Sequence, residues 1–143
     1  MKTSSLFFTF LFFTKFAFSQ TADITQGTWF NEEKDGKIQF YKQGDKIFGK
    51  IAWLKNAEKD GKPRLDDKNT VEKLRLQPIL GLVFLKNFTF NGKNIWEDGQ
   101  VYDPKNGKTY SAKMTLISPK QLDVRGFIGF SLLGRTTHFT KVE

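Results

Sequence analysis

The chain has 143 residues, no cysteine and a formal net charge of +8 at pH 7. This length fits one domain better than two, and the lack of cysteine excludes disulfides, thiol nucleophiles, cysteine-bound metals and a lipid-modified cysteine. Basic, aromatic surfaces suit nucleic acid, anionic lipid or acidic polysaccharide. Because the lysines are spread along the chain, we interpret most of the charge as a solvated surface.

Residues 1–19 have the pattern of an export signal. Lys2 gives a positive start, Leu6 to Phe18 is an apolar run, and Ala17-Phe18-Ser19 is the small-x-small pattern that a signal peptidase cuts. The run is too short to span a bilayer. We therefore expect one domain over residues 20–143, exported to the periplasm or secreted, with no transmembrane segment and no nucleic-acid partner.

The rest of the chain alternates apolar and polar residues in short runs between Gly, Asn, Asp and Pro turns, which is typical of an antiparallel β fold. The clearest run, 109–117, places every second residue from Tyr110 to Leu116 on one face. About eight strands at this spacing predict a meander that curls into a barrel or a sandwich. In chain order the predicted strands are 27–31, 37–42, 46–54, 81–91, 95–96 with 100–102, 109–117, 121–125 and 136–142.

Residues 55–78 break this rhythm. We expect a short helical turn over Thr70–Arg75 with Asn69 as its cap, inside a connection long enough to be a functional lid or a flexible excursion. The polar side chains Asp60, Asp66, Asp67 and Asn69 are candidate calcium ligands, but their spacing is not that of an EF-hand. We favour a solvated loop.

The segment from Arg125 to Gly134 concentrates apolar residues among glycines, between two arginines. If exposed, it is an apolar patch that marks a binding rim or a membrane-contacting loop. If it folds back, it is a core plug or a glycine-kinked strand corner. We favour the buried alternative.

Two short motifs at opposite ends of the chain, Gly27-Thr28-Trp29 and Gly134-Arg135, resemble the signature of lipocalins and their calycin relatives. The resemblance implies that Trp29 plugs the closed end of a barrel and that Arg135 packs over its ring, a cation–π contact. We therefore expect Gly27, Trp29 and Arg135 to be structural. This stack would join the two ends of the chain, and the proposed pocket depends on that closure.

The chain also resembles, over about residues 27–142, a family of small secreted bacterial proteins known as domain of unknown function 2147 (DUF2147). This resemblance implies a lipocalin-like barrel of about eight strands and implies no activity. Phe139 and His138 depart from the pattern of that family. The motifs that carry the resemblance are Gly27-Thr28-Trp29, residues 47–51 with Trp53-Leu54, residues 69–81, Trp96, residues 99–104, 107–112, Leu122, 124–129 and 133–136.

Our first hypothesis for function is a non-enzymatic module that binds a small hydrophobic or amphipathic molecule in the mouth of the barrel. The run 46–54 places Trp53 with Ile47 and Ile51 on one side. Arg125 is a candidate for neutralising an anionic head group. The expected lining residues are Trp53, Phe84, Trp96, Tyr102 and Tyr110.

A second hypothesis is an interaction protein whose basic face binds acidic envelope polymers or a protein partner. A third is a hydrolase that uses Asp103 and Asp123 as paired carboxylates, although Asp103 before Pro104 equally predicts a turn. His138, the single imidazole, has no nucleophile motif around it and reads as a sheet residue. We expect no catalytic residue, metal or cofactor.

Overall fold

The computed structural model describes residues 23–143. The predicted export signal, residues 1–19, lies outside the described residues. The described strands are β1 (Trp29–Phe30), β2 (Gly36–Gln43), β3 (Lys46–Leu54), β4 (Glu58–Lys59), β5 (Lys62–Pro63), β6 (Val83–Phe90), β7 (Ile95–Asp103), β8 (Lys108–Ser118), β9 (Gln121–Phe127) and β10 (Gly134–Lys141).

Eight of these strands form a closed antiparallel barrel in the order β1-β10-β9-β8-β7-β6-β3-β2, and β4 and β5 form a separate small hairpin. The predicted all-β barrel is therefore confirmed. Period-two alternation drives closure, because every strand has one apolar face that must be covered. Tight turns with glycine at positive φ, such as Gly44 (φ +65) and Gly92 (φ +87), join neighbouring strands.

The antiparallel order places the connections at two ends of the barrel. One end, here called the Trp29 end, carries residues 23–28 and the β2–β3, β6–β7 and β8–β9 turns. The other, here called the loop end, carries the β1–β2 turn, the long connection 55–82, the β7–β8 turn and the β9–β10 loop.

Large side chains fill the barrel interior. Phe40, Leu85, Phe88, Met114 and Leu122 are each at most 1% exposed. Close packing also requires glycine at two positions. A Cβ at Gly99 would overlap the Phe88 ring, and a Cβ at Gly49 would lie 3.0 Å from Leu85 Cδ1. An eight-stranded barrel has just enough interior for its own side chains, and these buried side chains occupy it.

Trp29 is buried at one end of the barrel, and the cation over its ring is Lys141 and not the expected Arg135. Trp29 is fully buried, and its Nε1 donates a hydrogen bond to the Ile24 carbonyl oxygen at 3.0 Å. Lys141, its partner in the β1–β10 pairing, lies with Nζ 5.2 Å from the centroid of the indole. Arg135 pairs instead with Gly126, six residues and about 20 Å along β10. Strand register thus decides which cation meets the ring, and β1–β10 pairing joins the two ends of the chain.

Candidate functional site

The expected lining residues do not share one cavity. Trp96 is a core residue near the Trp29 end, 5% exposed, and its ring lies 5.0 Å from that of Phe90. Phe84 packs against the core from the loop end. Tyr110 is half-buried, and its hydroxyl accepts a hydrogen bond from Asn106 Nδ2 at 2.9 Å. The mouth predicted from the sequence is therefore not assembled as a single site.

Trp53 lies outside the barrel. Lys37 pairs with Trp53 while Ile38 pairs with Ile51, so β3 holds one extra residue here. This bulge reverses the alternation and moves Trp53 to the outer face. There Lys37 Nζ lies 5.3 Å from the centroid of the indole, which is 40% exposed.

Arg125 is engaged by its own chain. Its Nε donates to the Ser131 carbonyl oxygen, one Nη to the Leu132 carbonyl oxygen at 3.2 Å and the other to Thr136 Oγ1 at 3.0 Å. Five N–H donors in a fixed fork suit such a brace. The guanidinium thus holds the β9–β10 loop rather than standing free for an anionic head group.

The long connection folds onto the outer wall of the barrel. A bridge between Leu65 and Pro78 closes its middle section. A Cβ at Gly107 would collide with the Lys68 carbonyl oxygen, so the β7–β8 turn approaches this backbone as closely as only glycine allows. The helical turn is a 3₁₀ turn, Glu72–Leu74, shorter than predicted and without a side-chain hydrogen bond at its own cap.

A buried polar network fastens the connection to β7. Asp66 is fully buried: one carboxylate oxygen accepts from the Tyr102 hydroxyl at 2.7 Å and the other from Asn69 Nδ2 at 2.8 Å. Asn69 Oδ1 accepts the Val71 N–H, and the Asn69 carbonyl oxygen accepts from Arg75 Nε. The predicted solvated loop is therefore wrong at Asp66 and Asn69, because buried polar groups with complete partners are stable inside protein.

The polar network raises the pKa of the Tyr102 hydroxyl. Burial, followed by the hydrogen bond to Asp66, raises the pKa of Tyr102 to about 12. Its hydroxyl is therefore protonated at neutral pH and donates to Asp66.

Between the connection and the outer wall of β6–β8 lies a cleft of about 210 Å³, here called the outer cleft. Its polar side is formed by the ends of the network, Asn69 and Tyr102, with Gln100, Thr109 and Lys86. Two of the predicted lining residues, Phe84 and Tyr102, are on its wall. Its apolar side is Val71, Leu74, Leu82, Val83 and Phe84.

Three of the stretches that carried the sequence resemblance, residues 69–81, 99–104 and 107–112, form most of the walls of this cleft. The family described as "Uncharacterized protein conserved in bacteria (DUF2147)" matches residues 27–141. The chain belongs to the DUF2147 family.

One solved structure similar to this DUF2147 domain is protein HP1028 from Helicobacter pylori, described as belonging to the lipocalin family. The TM-score is 0.75 at 21% identity, over 86% of this chain and 85% of that chain. At this identity the likeness shows a lipocalin-like fold and nothing about function. No curated protein matches the chain.

The predicted carboxylate pair of this DUF2147 domain does not form. Asp103 accepts the Lys105 N–H at 2.9 Å, the turn geometry that was the alternative. Asp123 Oδ1 lies 2.7 Å from His138 Nδ1 on the neighbouring strand. Asp103 pairs with Lys108 and Asp123 with Thr115, which separates them by about 23 Å along β8. Glycosidase carboxylates need to stand within about 10 Å.

A second depression, of about 370 Å³, lies at the Trp29 end among residues near both chain ends. Its cations are already engaged: Lys120 Nζ lies 2.7 Å from Glu143 Oε1, and Lys141 covers Trp29. Within residues 23–143 no three His, Asp or Glu side chains gather in a way that would hold a metal. The same range contains no helix with the length and apolarity to cross a bilayer.

Sequence reasoning missed the outer cleft because it is built on the outside of the sheet. The signal in the sequence that could have found it was the presence of two polar residues, Asp66 and Asn69, inside a long connection. Tyr102 was expected in the mouth of the barrel, but it lies between Val101 and Asp103 on an outward position of β7.

Proposed function

We propose that the protein is a non-enzymatic module that binds a small amphipathic molecule in the outer cleft. The observation that carries the proposal is a concave site with an apolar wall on one side and convergent polar groups on the other. This composition is typical of small-molecule sites. The Asp66–Tyr102 hydrogen bond supports it, because it holds the walls in place without using a ligand.

The size of the cleft limits the ligand. At about 210 Å³, it is below the usual range of roughly 300–1,000 Å³ for drug-sized ligands. The apolar wall suits a short alkyl or aromatic part, and Lys86 with the amide of Gln100 suits a carboxylate or another polar head. A medium-chain carboxylic acid has this chemistry.

Titration calorimetry with octanoate as the probe tests the proposal. Leu74→Gln, on the apolar wall, is expected to weaken binding about tenfold, since it replaces apolar contact area with an amide. Leu76→Gln is the matched control, because Leu76 belongs to the same connection, is 79% exposed and is outside the lining. Equal affinities for the two variants, or no binding of octanoate by the wild-type protein, would contradict the proposal.

A second candidate function is binding of an acidic polymer on the outer wall of β1–β3. Lys37 Nζ lies 5.1 Å from the centroid of the Phe30 ring and 5.3 Å from that of Trp53, and Lys50 Nζ lies 5.9 Å from that of Tyr41. The Tyr41 and Phe48 rings stack beside them at 5.7 Å. None of the outward positions on these three strands is acidic.

The dependence of binding on ionic strength distinguishes the two candidate functions. Binding of alginate through exposed lysines is expected to weaken steeply as ionic strength rises, and Lys50→Gln is expected to weaken it further. Octanoate in the outer cleft should be much less sensitive, because its apolar contacts are not screened. Alginate binding that is unchanged by salt or by Lys50→Gln would rule out the second function.

A further inference from the structure

The β9–β10 loop, residues 128–133, presents a cluster of exposed apolar side chains, here called the apolar tip. Ile128, Phe130, Leu132 and Leu133 are 71%, 75%, 89% and 71% exposed. The expectation that this segment is buried is therefore wrong. The reason is the length of the β9–β10 hairpin, whose last pair is Phe127 with Gly134 at the loop end, beyond the reach of the core.

The apolar tip is an ordered structure. Arg125 donates to the carbonyl oxygens of Ser131 and Leu132. Within the tip, the Leu133 N–H donates to the Phe130 carbonyl oxygen at 3.0 Å, and Gly129 takes φ +72 at the bend. Because the backbone of the tip is held by these bonds, its apolar side chains stay outside rather than collapsing onto the sheet.

The surroundings of the apolar tip are basic. Between residues 124 and 137 the sequence contains Arg125 and Arg135 and no Asp or Glu. Arg135 is exposed directly beside the tip, and the β7–β8 turn at the same end carries exposed Lys105 and Lys108. The flanking charges therefore complement an anionic surface.

The acids of the β1–β2 turn are set back from the apolar tip, and Asp103 in the β7–β8 turn is half-buried and bonded to its own backbone. Glu32 and Glu33 are on the β1–β2 turn, which follows the pairing of Phe30 with Thr140. The tip joins β10 at Gly134, six residues or about 20 Å along the strand from Thr140. Glu32, whose charge reaches His138, lies between these two levels. When the tip contacts a flat surface, Arg135 therefore lies closer to that surface than Glu32 and Glu33 do.

We propose that the apolar tip inserts into the surface of an anionic lipid bilayer, with Arg135 at the level of the phosphates. A short convex loop with four large apolar side chains needs a partner that covers it from all sides, and fluid acyl chains do so without a matching pocket. Apolar area and attraction to anionic lipid add in such contacts. The inference is independent of the outer cleft.

Co-sedimentation of the folded protein with vesicles tests this inference. The wild-type protein is expected to sediment with phosphatidylcholine–phosphatidylglycerol vesicles, and the double variant F130S/L132S is expected to lose at least about tenfold in partition coefficient. Ile117→Ser is the matched control, because Ile117 is 55% exposed at the end of β8, at the opposite end of the barrel. It is expected to partition like wild type.

Arg135 provides a second, independent variant. Arg135→Gln is expected to reduce partitioning into vesicles that contain phosphatidylglycerol and to leave partitioning into phosphatidylcholine alone unchanged. Three outcomes overturn the inference: wild-type protein that stays in the supernatant, tip and Ile117 variants that partition alike, or a tip whose substitution abolishes self-association in the absence of lipid. The last result would assign the apolar tip to a second copy of the chain.

Discussion

The hydroxyl of Tyr102 donates a hydrogen bond of 2.7 Å to the carboxylate of Asp66, which is fully buried and lies 36 residues earlier in the chain. This bond ties the long connection to the outer wall of β7. It positions the polar side of the outer cleft, and it explains how a carboxylate remains inside a connection that looks solvated in sequence.

Removing this donor is expected to destabilise the protein. Tyr102→Phe leaves one oxygen of a buried carboxylate without its partner, which costs about 1–3 kcal/mol of the free energy of unfolding. Urea denaturation measures the loss. Tyr110→Phe serves as the control, since its partner Asn106 is exposed to solvent, and it should cost less than about 0.5 kcal/mol.

The Tyr102–Asp66 hydrogen bond also predicts that the protein loses stability at alkaline pH. Burial and the Asp66 hydrogen bond raise the pKa of Tyr102 from 10.0 to about 12. The protonated form is therefore favoured by folding: its contribution to stability is complete below pH 10 and is lost as the pH rises through 12. In an ultraviolet titration, a phenolate step near pH 12 should be present in the wild type and absent in Tyr102→Phe.

Gly107 should tolerate substitution far less than another turn glycine. Gly107→Ala places a Cβ against the Lys68 carbonyl oxygen at φ +72, whereas Gly44→Ala, at φ +65, meets no neighbour within 4 Å. We expect about 1–2 kcal/mol of conformational strain at Gly44 and a clearly larger loss at Gly107, measured by urea denaturation. Equal losses would show that the connection does not hold its place against the β7–β8 turn.

His138 is expected to titrate above its usual range. The hydrogen bond that His138 donates to Asp123, then the charge of Asp123, raises the pKa of His138 from 6.5. Folding thus favours the protonated imidazole, so its stabilisation is complete below pH 6.5 and is lost as the pH rises through the folded-state pKa. NMR titration of the single histidine measures this pKa, and Asp123→Asn should lower it towards 6.5.

The cation over Trp29 can be identified by substitution. Lys141→Met is expected to cost about 0.5–1 kcal/mol through loss of the cation–π contact. Arg135→Met should cost less, because Arg135 is exposed and about 20 Å away along β10. Urea denaturation that ranks the two variants in the reverse order would contradict the strand register described above.

The sequence alone was enough to predict an antiparallel β fold, and the resemblance to lipocalins favoured a barrel over a sandwich. In β8, alternation from Tyr110 to Leu116 placed Ala112 and Met114 in the core, where they are at most 1% exposed. Such alternation is a local property that each strand carries by itself, so the fold class followed. The turn at Asp103 followed too, because a carboxylate that bonds its own backbone needs only neighbouring residues.

Tertiary structure alone decided the contacts that join distant parts of the chain. The register of β1 against β10 placed Lys141 beside Trp29, and a bulge in β3 placed Trp53 on the outer face of the barrel. The packing of the connection on β7 buried Asp66, and the length of the β9–β10 hairpin exposed the apolar tip. Alternation fixes which face of a strand is apolar, whereas register, bulges and the covering of the outer wall arise from pairings between residues far apart in sequence.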